Sequence, residues 1–296
     1  MDPDLEAVIE AMPDVPPWHA LSVESARRLE DEVFSTALDH DCTVREFAIA
    51  GPGGDLHMRA YRPAEGPLPT LVFYHGGGYT LGTLDSVERI CVDLAEHVGC
   101  LVLSVDYRLA PENPFPAAVE DAWAALGWAC EHADVIGGDG TVAVGGTSAG
   151  GGLAAATALR AREESVRVAA QLLLYPMLAA DWTAGQGPDA PLLSAADVEW
   201  FRDQYLASDV DRYNPLAAPL RAATVEGLPP TVVATAGHDP LFPEGELYAE
   251  RLAEAGVDVA HLHEPSLCHG FCSLTDDVPA AADATEQVAA AFREQL

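Results

Sequence analysis

With 296 residues, 49% of them hydrophobic, and 25 Gly and 22 Pro spread along the chain, the sequence has the make-up of one folded domain with an embellishment rather than a disordered tail. Its 47 acidic residues face 15 basic ones, all Arg, for a formal net charge of −32; this charge repels nucleic acid phosphates and anionic lipid, so neither is an expected partner. The longest apolar run, residues 168–180, contains Gln171 and Pro176 and falls short of the roughly 20 residues that cross a bilayer, so no membrane span is expected.

A surface this anionic repels itself in dilute buffer, and molar salt, with a Debye length of about 3 Å, relieves the repulsion. The excess of acids therefore points to a protein adapted to molar salt inside a halophilic cell; a GC-rich genome would explain Arg in place of Lys but not the acids. Residues 1–17 carry Asp2, Asp4, Glu6, Glu10 and Asp14 with no basic residue, unlike a secretory signal or transit peptide, so a cytoplasmic location is expected. The six cysteines are scattered without a CxxC and read as reduced, mostly buried residues. Cys268 and Cys272 lie beside His269 but lack the remaining tetrahedral ligands, and no metal is expected there.

Along the chain, the first forty residues read as helical: Val23, Ala26, Leu29, Val33, Phe34, Ala37 and Leu38 recur at spacings of three and four, forming one apolar stripe. Residues 43–50 and 56–61 read as strands joined at Gly51-Pro52-Gly53-Gly54-Asp55, a hairpin. Short apolar runs at 71–74, 101–105, 141–144, 168–174, 231–236 and 257–262 then alternate with helical stretches at 86–98, 117–132, 149–162, 243–255 and 280–296. That alternation is a series of βαβ crossovers, which predicts a mostly parallel sheet covered by helices on both faces. Residues 180–227 break it with Pro, Gly and one helical piece at 195–206. The expected organisation is an N-terminal helical cap segment at 1–42, an α/β core at 43–179 and 228–296, and a cap insertion at 180–227.

Gly146-Thr147-Ser148-Ala149-Gly150 follows one predicted strand and opens a small-residue helix. A sharp strand-to-helix turn needs glycines beside the serine and lifts its hydroxyl clear of the sheet, with the helix dipole next to it. His75-Gly76-Gly77-Gly78-Tyr79 also follows a strand; glycine amides can approach a developing oxyanion without a side chain in the way, so Gly77, Gly78 and Ala149 are the oxyanion-hole candidates. A phosphate loop is the competing reading, but no Gly-Lys-Ser/Thr ending exists in a chain without Lys. The serine needs a base and the base an orienting acid, in the chain order Ser, Asp, His. Asp239 closes the strand at 231–236, and His269 alone among ten histidines follows the last strand and precedes the last helix, with His238 and Glu264 as nearby competitors. Trp18, Tyr79, Trp200, Phe201 and Tyr205 are candidate walls of a substrate pocket, of which Tyr79, Trp18, Phe201 and Tyr205 are the expected substrate contacts.

With these residues in place the sequence resembles the hormone-sensitive-lipase-like family of microbial esterases, from about residue 60 to the C-terminus. The likeness extends to Asp106-Tyr107-Arg108-Leu109-Ala110-Pro111-Glu112, Phe115-Pro116-Ala117-Ala118, Asp121, Asp239-Pro240-Leu241 and His269-Gly270-Phe271. The resemblance implies an α/β-hydrolase fold with a helical cap, no cofactor, and hydrolysis of short- and medium-chain esters by Ser148, Asp239 and His269. Two positions depart from the family's pattern: Thr147 stands where Asp is usual, and Gly152 where Asn is usual. An amidase or a lactonase on the same residues remains open, as does a non-catalytic receptor like the gibberellin receptors, although those lack the histidine. Self-association as a homodimer is also left open.

Overall fold

The alternation of apolar runs and helical stretches folds into one sheet between two helical layers. The computed structural model describes residues 1–12, 16–35, 38–182 and 184–296. Within them the strands are β1 (Thr43–Gly51), β2 (Gly54–Arg62), β3 (Leu68–Tyr74), β4 (Leu101–Val105), β5 (Gly138–Thr147), β6 (Gln171–Leu174), β7 (Thr231–His238) and β8 (Val259–Cys268). The α-helices are α1 (Pro3–Ala11), α2 (Val23–Phe34), α3 (Glu88–Leu94), α4 (Ala117–His132), α5 (Ala149–Glu163), α6 (Ala195–Tyr205), α7 (Phe242–Glu254) and α8 (Pro279–Arg293). The strands lie in the order β1-β2-β4-β3-β5-β6-β7-β8. The β1–β2 hairpin and the β2–β4 pair are antiparallel, and every other neighbouring pair is parallel.

Successive residues of a strand point to opposite faces, and β3 shows both layers of the core. Leu71 and Phe73 pack with Ile90 and Leu94 of α3 and Val288 and Phe292 of α8. Val72 and Tyr74 pack with Leu126 of α4, Leu153 of α5 and Leu252 of α7. With both faces covered, the inner strands are nearly continuously apolar, interrupted by buried polar residues such as Ser104 in β4 and Thr235 in β7.

Two expectations need correction. The N-terminal region is not one helical stripe to Leu38: it is α1, capped by the Asp2 side chain, a single 3-10 turn at Trp18–Ala20, and α2, capped by Ser22 and ending at Phe34. Ala37 lies outside the described residues, and the buried face of α2 contains Ala26 and Glu30, so a carboxylate sits where only apolar spacing was read. The last strand also runs past residue 262 to Cys268. It is the outer strand of the sheet, and its polar residues His261 and His263 face outward in alternation, which hides it from an apolar-run criterion.

The stretch between β6 and β7 carries α6, which is tied both to the N-terminal segment and to the core. Trp18 Nε1 donates to the Leu192 carbonyl at 3.0 Å, and the His19 amide donates to Asp197 Oδ1 at 2.9 Å. On the core side, Arg202 of α6 meets Glu244 of α7 at 2.5 Å, with side chains 2% and 0% exposed. Glu244 Oε2 also accepts the amides of Leu178 and Ala179 at 2.7 and 2.8 Å, and Arg202 Nε donates to the Ala179 carbonyl. The Arg202 guanidinium lies over the Trp182 ring at 4.3 Å. Removing one member of such a pair strands the other charge without water. Replacing Arg202 with Met is expected to lower unfolding stability by about 3–5 kcal/mol in urea titrations; a loss below about 1 kcal/mol would contradict the anchoring role.

Candidate active site

Ser148 forms the turn between β5 and α5 with φ 52° and ψ −117°, a conformation that non-glycine residues adopt only when their surroundings impose it. Its amide donates to the Leu174 carbonyl at 2.8 Å, and its carbonyl accepts from Met177 at 2.9 Å and Gly152 at 3.1 Å. The flanking glycines are required by space. A Cβ on Gly150 would stand 1.9 Å from the Tyr74 carbonyl oxygen, and one on Gly146 would stand 2.4 Å from the Gly150 carbonyl carbon.

His269 directly follows β8, its amide bonded to the His238 carbonyl at 3.0 Å. Its Nδ1 lies 2.8 Å from Asp239 Oδ2 and its Nε2 lies 3.1 Å from Ser148 Oγ. A carboxylate only accepts, so Nδ1 donates to Asp239 and Nε2 keeps its lone pair toward the serine hydroxyl. Asp239, fully buried after β7, accepts the Leu241 amide on Oδ1 at 2.8 Å, which fixes the carboxylate plane. The Tyr175 ring stands edge-on to the imidazole at 4.9 Å. His238 contributes its carbonyl to this arrangement, and the side chains that meet are Ser148, His269 and Asp239.

The loop after β3 lies beside them, since Tyr74 pairs with Gly146 in the sheet register. Gly77 and Gly78 have φ of 93° and 59°. A Cβ on Gly77 would stand 2.4 Å from the Leu81 carbonyl oxygen, and one on Gly78 would stand 2.2 Å from the Phe201 ring. His75, fully buried, stacks on Tyr107 at 4.1 Å and donates from Nδ1 to the Gly76 carbonyl at 2.8 Å. Burial pushes its pKa down to about 4, which keeps the ring neutral near pH 7. Tyr107 donates its hydroxyl to the His75 carbonyl at 2.8 Å, so its place in the Asp106–Glu112 stretch is to hold this loop. Arg108 in the same stretch grips Asp121 through Nε and Nη2 at 2.8 and 2.9 Å. Ala149 is the first residue of α5, and amides in a first helical turn have no intrahelical acceptor.

A cleft of about 800 Å³, its open mouth included, exposes Ser148 and His269 between walls that include Trp18, Phe34, Leu81, Ile90 and Phe201. Of the expected wall residues, Trp18 and Phe201 line it. Tyr79 and Tyr205 instead stack on each other at 3.7 Å and are buried behind it, and Trp200 packs edge-on against Phe201 at 5.0 Å. Gly152 leaves room for this arrangement: a Cβ there would stand 2.4 Å from the Tyr79 hydroxyl. Glu30, Ser86 and Tyr175 also line the cleft and were not singled out in the sequence. The cysteines are free thiols, Cys130 exposed and the rest buried, and among the described residues no group of three or more His, Cys, Asp or Glu could hold a metal ion. Among the described residues, no helix is long and apolar enough to cross a membrane.

Known proteins share this architecture. A family profile described as an alpha/beta hydrolase fold matches residues 71–273. The carboxylic ester hydrolase LipN of Mycobacterium tuberculosis is 45% identical over 86% of this chain and 70% of its own length. The esterase LipI of the same organism is 39% identical over 100% of this chain and 95% of its own. The crystal structure of a thermostable esterase from Pseudomonas putida superposes with a TM-score of 0.94 at 33% identity, covering 100% of this chain and 97% of that one. On the fold, the profile and these relatives together, the chain belongs to the hormone-sensitive-lipase-like carboxylesterase family of the α/β-hydrolase fold.

Proposed function

We propose that the protein is a serine carboxylesterase in which Ser148 is the nucleophile, His269 the general base and Asp239 the acid that orients it. The observation that carries this is the unbroken run of contacts from Asp239 through His269 to Ser148, at 2.8 and 3.1 Å. His269 Nε2 takes the hydroxyl proton as Ser148 Oγ attacks the ester carbonyl, and the amides of Gly77, Gly78 and Ala149 receive the oxyanion. The imidazolium, stabilised by the buried Asp239 carboxylate, then protonates the leaving alcohol. Water activated by the same imidazole hydrolyses the acyl-enzyme and restores Ser148. No step calls for a cofactor. Each oxyanion donor accounts for about 10²- to 10³-fold in rate, and the glycines are the residues that let the loop reach the reacting carbon.

Residues 1–42 and 180–227 act together as the cap over this chemistry, a reading supported by the Trp18, His19 and Phe201 contacts. The apolar walls and the size of the cleft favour acyl chains of short to medium length. Its free thiols fit a reducing cytoplasm. Adaptation to molar salt is supported by the disposition of the few cations. Arg59, Arg89, Arg108, Arg160 and Arg221 already sit against Asp or Glu, so the remaining acids repel one another across the surface.

Three outcomes follow. Ser148→Ala lowers kcat by about 10⁶-fold with an unchanged circular dichroism spectrum, and retained turnover would end the assignment. Across p-nitrophenyl esters, kcat/KM peaks at butanoyl to octanoyl and falls for dodecanoyl and longer chains; a maximum at the long end would overturn the chain-length reading. Thermal melts in about 2 M KCl give a Tm at least about 10 °C above that in dilute buffer, and equal values would refute salt adaptation.

A further inference from the structure

An unpaired carboxylate stands in the wall of the cleft. Glu30 of α2 is 8% exposed and lines the same cavity as Ser148 and His269. Burial pushes its pKa up to about 7, with the adjacent Asp31 acting in the same direction and the nearby Ser86 side chain and Gly82 backbone opposing it. The arginines of α2 are engaged elsewhere, Arg27 with Glu112 and Arg28 with Glu24, and among the described residues no ion pair includes Glu30. The helix is held firmly, because Arg27, one turn before Glu30, donates to the carbonyls of Thr80 and Ala110 as well as to Glu112. The carboxylate is therefore fixed in place, not swung in from solvent.

The rest of the cleft selects what would meet it. Among the described residues no Arg lines the cavity, and the one imidazole that does is His269. Trp18, Phe34 and Phe201 line it, and aromatic rings attract cations through their quadrupoles. The protein's net charge of −32 raises the local concentration of cations and lowers that of anions.

We propose that Glu30 is a cation-recognition subsite, and that the preferred substrates are esters carrying an ammonium group that reaches its carboxylate while Ser148 meets the ester carbonyl. This rests on the reading of Ser148 as nucleophile. A bound ammonium supplies the counter-charge that Asp31, Ser86 and Gly82 cannot, and it favours the ionised form of Glu30. A purely structural role for Glu30, packed beside Ser86 and Gly82, predicts no discrimination between charged and uncharged esters of one shape.

Matched pairs separate the two. In a pH-stat at about pH 8, where both a tertiary amine and Glu30 are largely charged, acetylcholine is compared with its carbon isostere dimethylbutyl acetate, and methyl dimethylaminopentanoate with methyl methylheptanoate. The first pair places the cation on the alcohol side and the second on the acyl side. In at least one pair the wild type favours the cationic ester in kcat/KM by about tenfold, and Glu30→Gln removes that preference. The preference also shrinks toward pH 6 in the wild type but not in the variant; a pH effect on the reaction common to both members of a pair cancels in the ratio. A ratio near one in both wild-type pairs, or an equal ratio in the variant, overturns the proposal. Calorimetric binding of butyltrimethylammonium to wild type, Ser148→Ala and Glu30→Gln reads the subsite without turnover. Weaker binding in Glu30→Gln alone supports it, and equal binding in all three refutes it. Failure of every ester to react would count against the catalytic reading, while cation binding would still decide the role of Glu30.

Discussion

The whole arrangement depends on how closely α5 approaches the end of β3. The Tyr74 carbonyl oxygen occupies the position a side chain at residue 150 would need, so only glycine lets α5 start there. That contact sets Ser148 in its left-handed turn, brings the Ala149 amide to the edge of the sheet and puts both beside the glycine loop that leaves β3. Parallel pairing does the rest: β3, β5, β7 and β8 all deliver their carboxyl ends to one side, so the loops bearing Gly77, Ser148, Asp239 and His269 converge without any of them travelling far. The conformational cost at Ser148 is borne by the surrounding lattice of hydrogen bonds to Leu174, Met177 and Gly152.

The same logic explains what could be read from sequence. The strand-to-helix turn at Ser148 and the glycine run at 76–78 are dictated by local backbone geometry, so residue types at fixed spacing reveal them. Asp239 and His269 were legible because chain order and position after a strand narrow ten histidines to one. The inner strands were legible as apolar runs because both faces of the sheet are covered, whereas β8 escaped in part because its outer face is polar. Features made by contacts between distant segments left no local trace. Tyr79 and Tyr205 look like pocket walls in sequence yet stack on each other behind the cleft, since Gly152 opens space for the Tyr79 hydroxyl. The burial of Glu30, Arg202 and Glu244 comes from packing between α2, α6, α7 and the core, so nothing in the local sequence marks it.

Charge in this protein works at two scales. Over the surface, acids far outnumber the arginines that could neutralise them, and this imbalance is the ground for the salt adaptation proposed above. Inside, three buried carboxylates are tied to defined partners: Asp239 meets the His269 imidazole, Glu244 holds α6 through Arg202, and Asp121 takes Arg108 to brace the stretch that supports the glycine loop. Phe201, next to Arg202, rests on Gly78, so the same anchor that fixes α6 also shapes the wall above the glycine loop.

The most direct test of the account is chemical modification of the serine itself. Treatment with a fluorophosphonate and mass spectrometry of the digested protein should place a single stoichiometric adduct on the peptide carrying Ser148, and His269→Ala should slow its formation by orders of magnitude. An unmodified Ser148, or labelling that proceeds equally without the imidazole, would contradict it.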